Sequence, residues 1–101
     1  MRRSVHVIKA LANERRLQIL EWLKEPRAHF PPQIDGDLVE DGVCAVLIAD
    51  KLRIAQATLS EHMRVLVQAG LVRPKRIRQW TFYRRDEARI EAIKASLLAN
   101  L

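Results

Sequence analysis

A chain of 101 residues supplies one domain, and a domain of this size buries only about two-thirds of its unfolded surface, so a second copy is a useful source of extra core. The composition is 49% hydrophobic and 30% charged, which is globular. No apolar run approaches the roughly 20 residues of a membrane span, and a single cysteine, Cys44, excludes an intramolecular disulfide framework. Eighteen Lys and Arg against twelve Asp and Glu leave +6, which favours a polyanionic partner.

In chain order the first signal is helical. The basic start, Met1 to Ser4, leads into no apolar h-region, so no secretory leader is expected. Val5, Ile8 and Leu11 recur at helical spacing and predict a helix over about 2–12. Asn13 then serves as N-cap for a helix from Glu14 to Glu25, whose Leu17, Ile19, Leu20, Trp22 and Leu23 form a wide apolar arc. Three prolines and two glycines between Pro26 and Gly42 predict a long loop. A short helix follows from about Val43 to Leu52, then a tight connection at Arg53, Ile54 and Ala55, then a helix from Gln56 to Ala69 closed by Gly70 as C′ residue. Leu71 to Arg85 predicts a strand pair. Asp86 caps a last helix with Ile90, Ile93, Leu97 and Leu101 along one stripe. The fold class is mainly α with a small β-hairpin.

Charge is unevenly placed. Six of the thirteen residues from Arg73 to Arg85 are basic and none is acidic, and the run also holds Trp80, Phe82 and Tyr83. Four acids crowd the seven residues from Asp35 to Asp41. They show no calcium-loop spacing. Orienting a dimer by repelling DNA is one role open to them, and keeping the loop soluble is the simpler one.

Two helices joined by about three residues form a helix-turn-helix, which presents its second helix to the major groove. In the Gln56 helix, Leu59, Met63, Leu66 and Val67 share a buried face. Ala57, Glu61, Arg64 and Gln68 point the other way, with Thr58 and Ser60 on the flanks. Gln reads adenine bidentately, Arg reads guanine or holds phosphate, and Ser or Thr does either. Gln56 lies in the first turn, where backbone N–H groups also bind phosphate. An ordinary amphipathic surface helix has the same pattern, so this helix alone does not decide the matter.

The stretches "KALANERRLQILEWL", "VLIADKLRIAQATLSEHMRVLVQAGLV" and "RPKRIRQWTFYRRD" together resemble a winged helix-turn-helix of the ArsR/SmtB family of bacterial transcriptional repressors. The resemblance covers nearly the whole chain apart from the Pro26–Gly42 loop, which is longer than usual. It implies a single winged helix-turn-helix domain over 1–101 and a homodimer built through terminal helices at about 2–12 and 87–100. It also implies a palindromic operator in double-stranded DNA, a bacterial cytoplasmic setting with nucleoid association when bound, and an effector whose identity stays open. The DNA-binding candidates are then Gln56, Ala57, Thr58, Ser60, Glu61 and Arg64 on the helix, with Arg76, Arg78 and Gln79 on the wing. The dimer-interface candidates are Val5, Ile8, Ile90, Ile93 and Leu97, although cover within one monomer also explains those stripes.

Several positions depart from the family pattern. Ala55 and Ala57 stand where a small polar residue and often a proline flank Gln56, so the side-chain cap is lost, at a cost of about 1 kcal/mol. Arg53 stands where glycine commonly takes the left-handed region. Glu61 replaces a frequent arginine; it accepts from cytosine N4 if it faces the bases and does nothing if it faces away. Cys44 occupies the first position of the family's Cys-x-Cys metal motif but Val46 the second, and no histidine follows His62. No metal site and no cofactor is therefore expected, and Cys44 reads as a small buried hydrophobe. His6 and His29 read as structural or solvated, and His62 as a satisfied residue at the edge of the buried face. Enzymatic chemistry is excluded by the lack of a nucleophile–base pair or glycine-rich phosphate loop. The rivals are a winged-helix protein-interaction module without specific DNA binding and an RNA-binding hairpin.

Overall fold

The computed structural model describes residues 2–101. Its elements are α1 (Arg2–Leu11), α2 (Glu14–Lys24), α3 (Pro26–His29), β1 (Val43–Cys44), α4 (Ala45–Leu52), α5 (Gln56–Gln68), β2 (Val72–Ile77), β3 (Trp80–Arg85) and α6 (Glu87–Ala99). The strands form one antiparallel sheet in the order β1-β3-β2.

Helix boundaries follow local chemistry. The Asn13 side chain accepts from the Arg16 N–H at 3.1 Å, and Asp86 accepts from the Arg89 N–H at 3.1 Å; each satisfies an amide that the helix itself leaves unpaired. Two Schellman motifs end the helix-turn-helix elements. At the end of α5, Leu71 N–H donates to Leu66 and Gly70 N–H to Val67, with Gly70 at φ +79°. At the end of α4, Ile54 N–H donates to Ala49 and Arg53 N–H to Asp50, with Arg53 at φ 57°, ψ 47°. A left-handed arginine costs about 1–2 kcal/mol, so the expected αL turn survives without its glycine and stores that strain.

The core gathers one face from every layer. Ile19, Leu20 and Leu23 of α2, Ile48 and Ala49 of α4, and Leu59, Met63 and Leu66 of α5 are buried together. Leu17, expected in the α2 arc, is half exposed at 50%, so that arc is narrower than its sequence suggests. Lys51 of α4 lies over the Trp22 and Phe30 rings at 5.1 and 5.7 Å, and those rings meet edge to face at 6.0 Å. This cation–π contact ties α4 to α2.

Two expectations for the middle of the chain are corrected. The segment from Pro26 begins with a single helical turn, α3, with Pro26 as its first residue and Phe30 N–H donating to Pro26 at 2.9 Å. Proline suits that position because its missing N–H has no partner there anyway. Val43 and Cys44 form a strand rather than the start of a helix; Val43 pairs with Tyr83 and Cys44 with Phe82.

The remaining loop is stitched onto the sheet. Phe30 and Leu38 are buried. The Gln33 amide donates to the Gly36 and Gly42 carbonyls and accepts from Cys44 N–H at 2.7 Å. Asp37 accepts from Val39 N–H and Glu40 N–H, a bonding that pulls its pKa below the ordinary carboxylate value. Gly42 has φ +106°, and a side chain there would collide with the Tyr83 carbonyl. Gly36 lets the loop lie on the Phe82 ring, where a Cβ would come to 2.8 Å.

A candidate nucleic-acid interface on helix α5 and the β2–β3 wing

The turn at Arg53–Ala55 sets α5 so that its apolar face packs inward and its polar face meets solvent. Gln56, Ala57, Thr58, Ser60, Glu61 and Arg64 are all exposed, on the side opposite buried Leu59, Met63 and Leu66. Ala55 is extended (φ −67°, ψ 149°), and among the described residues no side chain caps the helix start. The first-turn N–H groups of α5 therefore lack a side-chain acceptor, and backbone N–H groups so placed favour an anion.

Glu61 does not stand alone. Arg64 donates to both its carboxylate oxygens and, through the other guanidinium nitrogen, to Gln68 Oε1 at 3.1 Å. The Arg64 hydrogen bond lowers the Glu61 pKa, and the same contact raises that of Arg64. The outward face thus carries a compensated pair. Exposed pairs of this kind contribute little to stability, so little holds Arg64 to this partner.

His62, at the edge of the buried face, accepts at Nδ1 from an Arg16 guanidinium nitrogen at 3.2 Å. Arginine only donates, so Nε2 carries the ring proton. The remaining Arg16 donors reach the Ala10 carbonyl at 2.7 Å and the Lys9 carbonyl at 3.1 Å. Burial first, then the charges of Arg16 and Arg15, hold the His62 pKa below its ordinary value.

The wing turns through Arg78 and Gln79, with Ile77 facing Trp80 and Arg78 at φ 55°. Only the first central residue has positive φ, the sign pattern of a type II′ hairpin turn. Register then sorts the cations that sequence treats alike. Arg85 turns inward, pairs with Glu87 at 2.9 Å and donates to the Leu20 carbonyl at 3.2 Å. Lys75 shares a face with Phe82 and pairs with Asp41 of the loop, a contact that lowers the Asp41 pKa. Arg73, Arg76, Arg78 and Arg84 are exposed and form no ion pair among the described residues. Arg76 Nε donates to the Arg78 carbonyl at 3.0 Å, which fixes a second guanidinium beside the tip. Gln79 is exposed next to it. The candidates Arg76, Arg78 and Gln79 therefore cluster at one end of the hairpin, and the α5 candidates share one helix face. Arg73 and Arg84, opposite each other in the register, extend the cationic surface; their place at the two ends of the basic run was the available signal.

Of the terminal residues, Val5 (47% exposed) and Ile8 (55%) project from α1, and Leu98 (74%) from α6. Ile93 and Leu97 are half-buried and, with Val7 and Ser4, line a cleft of about 120 Å³ between α1 and α6. Ile90 is corrected: at 6% exposure it belongs to the protomer core, where it joins the cluster of buried residues from the other elements. Cys44 is also corrected, being partly rather than fully buried, at the α4 N-cap.

Among the described residues, no group of three or more His, Cys, Asp or Glu is placed to hold a metal ion, and no helix is long and apolar enough to cross a membrane. A helix-turn-helix domain family matches residues 11–75. The chain is 49% identical over 86 residues to the uncharacterized regulator YbzH of Bacillus subtilis, covering 85% of this chain and 86% of that one. This is an ArsR-family winged helix-turn-helix transcriptional regulator. The solved structure of HlyU from Vibrio cholerae matches it at TM-score 0.64 with 29% identity, over 94% of this chain and 87% of that one. Mb0332 of Mycobacterium bovis, a homodimeric winged helix-turn-helix DNA-binding domain from a candidate ArsR-family regulator, matches at TM-score 0.64 with 30% identity, over 97% of this chain and 79% of that one. The regulator belongs to a family of DNA-binding proteins rather than enzymes.

Proposed function

We propose that the regulator binds a palindromic operator as a homodimer in the bacterial cytoplasm and represses transcription by occupying promoter DNA. The observation that carries this reading is the coexistence of a polar, side-chain-uncapped α5 face with a hairpin tip bearing exposed Arg76 and Arg78. Gln56, Thr58, Ser60, Glu61 and Arg64 face the base edges, Ala57 offers a methyl to thymine, and Arg76, Arg78 and Gln79 hold the backbone. Exposed Val5 and Ile8, with the Ile93–Leu97 cleft beside them, supply the surface for the second copy. A two-fold dimer sets its recognition helices one helical turn of DNA apart, roughly 34 Å.

The reading is tested with fragments selected by the protein from genomic DNA, titrated by fluorescence anisotropy over a range of salt. A specific complex with a two-fold symmetric site and a steep inverse salt dependence supports it. Indifference to duplex DNA at low ionic strength refutes it and leaves the protein-interaction module. HlyU is a transcriptional activator by name; a reporter placed behind the selected site distinguishes activation from repression.

A further inference from the structure

Beside the start of α5 lies an open cleft of about 500 Å³, within the size range of small-molecule sites. The loop contributes Ile34 and Asp35, α4 contributes Val46 and Leu47, β3 contributes Trp80, and α5 contributes Gln56. The surface is mostly carbon. Ile34 is completely exposed at its rim, an aliphatic side chain with no apolar neighbour to cover it.

Charge selects the occupant. Among the described residues lining the cleft, Asp35 alone is charged. The loop that carries it also bears Asp37 and Glu40; backbone N–H donors lower the Asp37 pKa below the ordinary carboxylate value, while Asp41 is paired with Lys75. A cation with an apolar body satisfies both features: carbon against Val46, Leu47 and Ile34, positive charge toward Asp35, and the Trp80 ring available for a cation–π contact.

We propose that this cleft is an effector site for a small lipophilic cation, an arylalkyl amine in its ammonium form, and that the bound cation excludes DNA from the Gln56 end of α5. The competition rests on the operator-binding reading above; the binding itself does not. Gln56 lines the cleft and also opens the recognition helix, so one side chain is shared between ligand and DNA.

The test uses the full chain without DNA first. Three matched probes, 1-naphthylmethylammonium, 1-naphthylmethanol and 1-naphthoate, are titrated calorimetrically, with the Trp80 indole resonance followed by NMR. The expected result is that the cation binds about two- to fivefold tighter than the alcohol, the scale of one exposed ion pair. The carboxylate binds most weakly, and the Trp80 resonance shifts. Asp35→Asn should bring cation and alcohol level while leaving duplex affinity in the absence of probe unchanged. Val46→Trp, checked by thermal melting, should fill the cleft and weaken both. Equal binding of the three probes, no binding at millimolar concentration, or a cation preference that persists in Asp35→Asn overturns the site. Next, the ammonium probe should displace duplex from the unmodified protein and not from Asp35→Asn; binding without displacement overturns the regulatory half. A protein that never binds duplex fails the operator reading, and the DNA-free titration still decides the site.

Discussion

Arg16 donates to the Nδ1 of His62 across a separation of 46 residues while its other donors hold the Ala10 and Lys9 carbonyls. One guanidinium thereby fastens the end of α1 to the middle of α5. The contact needs a neutral imidazole, because a protonated ring offers no acceptor.

The pH consequence has a definite sign. The folded-state pKa of His62 lies below the ordinary value of 6.5, so the unfolded chain takes up the proton first. Stability from this residue is complete above about 6.5 and falls as pH drops below it. Urea denaturation at about pH 7.5 and about pH 5.5 should show a lower midpoint in acid. His62→Gln, which retains an acceptor without titrating, should flatten that difference; an unchanged pH slope in the variant refutes the assignment.

On DNA the wing and the helix should separate. Arg78→Ala is expected to weaken all duplexes similarly and to reduce the salt slope by about one. Gln56→Ala should chiefly lower the preference for operator over random sequence, by a fraction of the roughly 1–3 kcal/mol a bidentate pair contributes. Parallel anisotropy titrations on both duplexes check it, and equal losses from Gln56→Ala would remove that residue from the base-reading set.

For assembly, Ile8→Glu is the sharper probe, since Ile8 is 55% exposed and its replacement leaves the core intact. Sedimentation should give a monomer with an unchanged circular dichroism spectrum. Ile93→Asp should also yield monomer, with some loss of melting temperature because Ile93 is half-buried. A dimer that persists in both variants places the interface elsewhere.

Arg53→Gly should stabilise the free protein by up to about 1 kcal/mol, because glycine removes the left-handed penalty and loses part of that gain to its freer unfolded chain. Thermal melting reads this directly. A lower melting temperature would mean that the Arg53 side chain holds the turn.

The caps and the helix-turn-helix were legible because their causes are local. Asn13, Asp86 and Gly70 declare themselves by residue type, and α5 by a period that places Leu59, Met63 and Leu66 together. β1 was not legible: its two residues are a strand only because Phe82 and Tyr83 lie beside them. α3 is one turn bounded by Glu25 and Phe30, too short to leave a periodic signature. The polar face of α5 could be read in full, whereas the wing could not. Arg85 and Arg78 are equivalent in composition, and only the hairpin register turns the first onto Leu20 and the second to the tip. Ile90 and Ile93 likewise share a stripe, and packing within the protomer, not the sequence period, buries the first and leaves the second half-buried.

Ala55 has a consequence for the free protein. With no hydroxyl or carboxylate to finish the helix, the first turn of α5 should fray in solution and exchange its amide protons quickly. A phosphate oxygen seated on those amides would complete what the polypeptide leaves undone, so the last step of folding and the first step of docking become the same event.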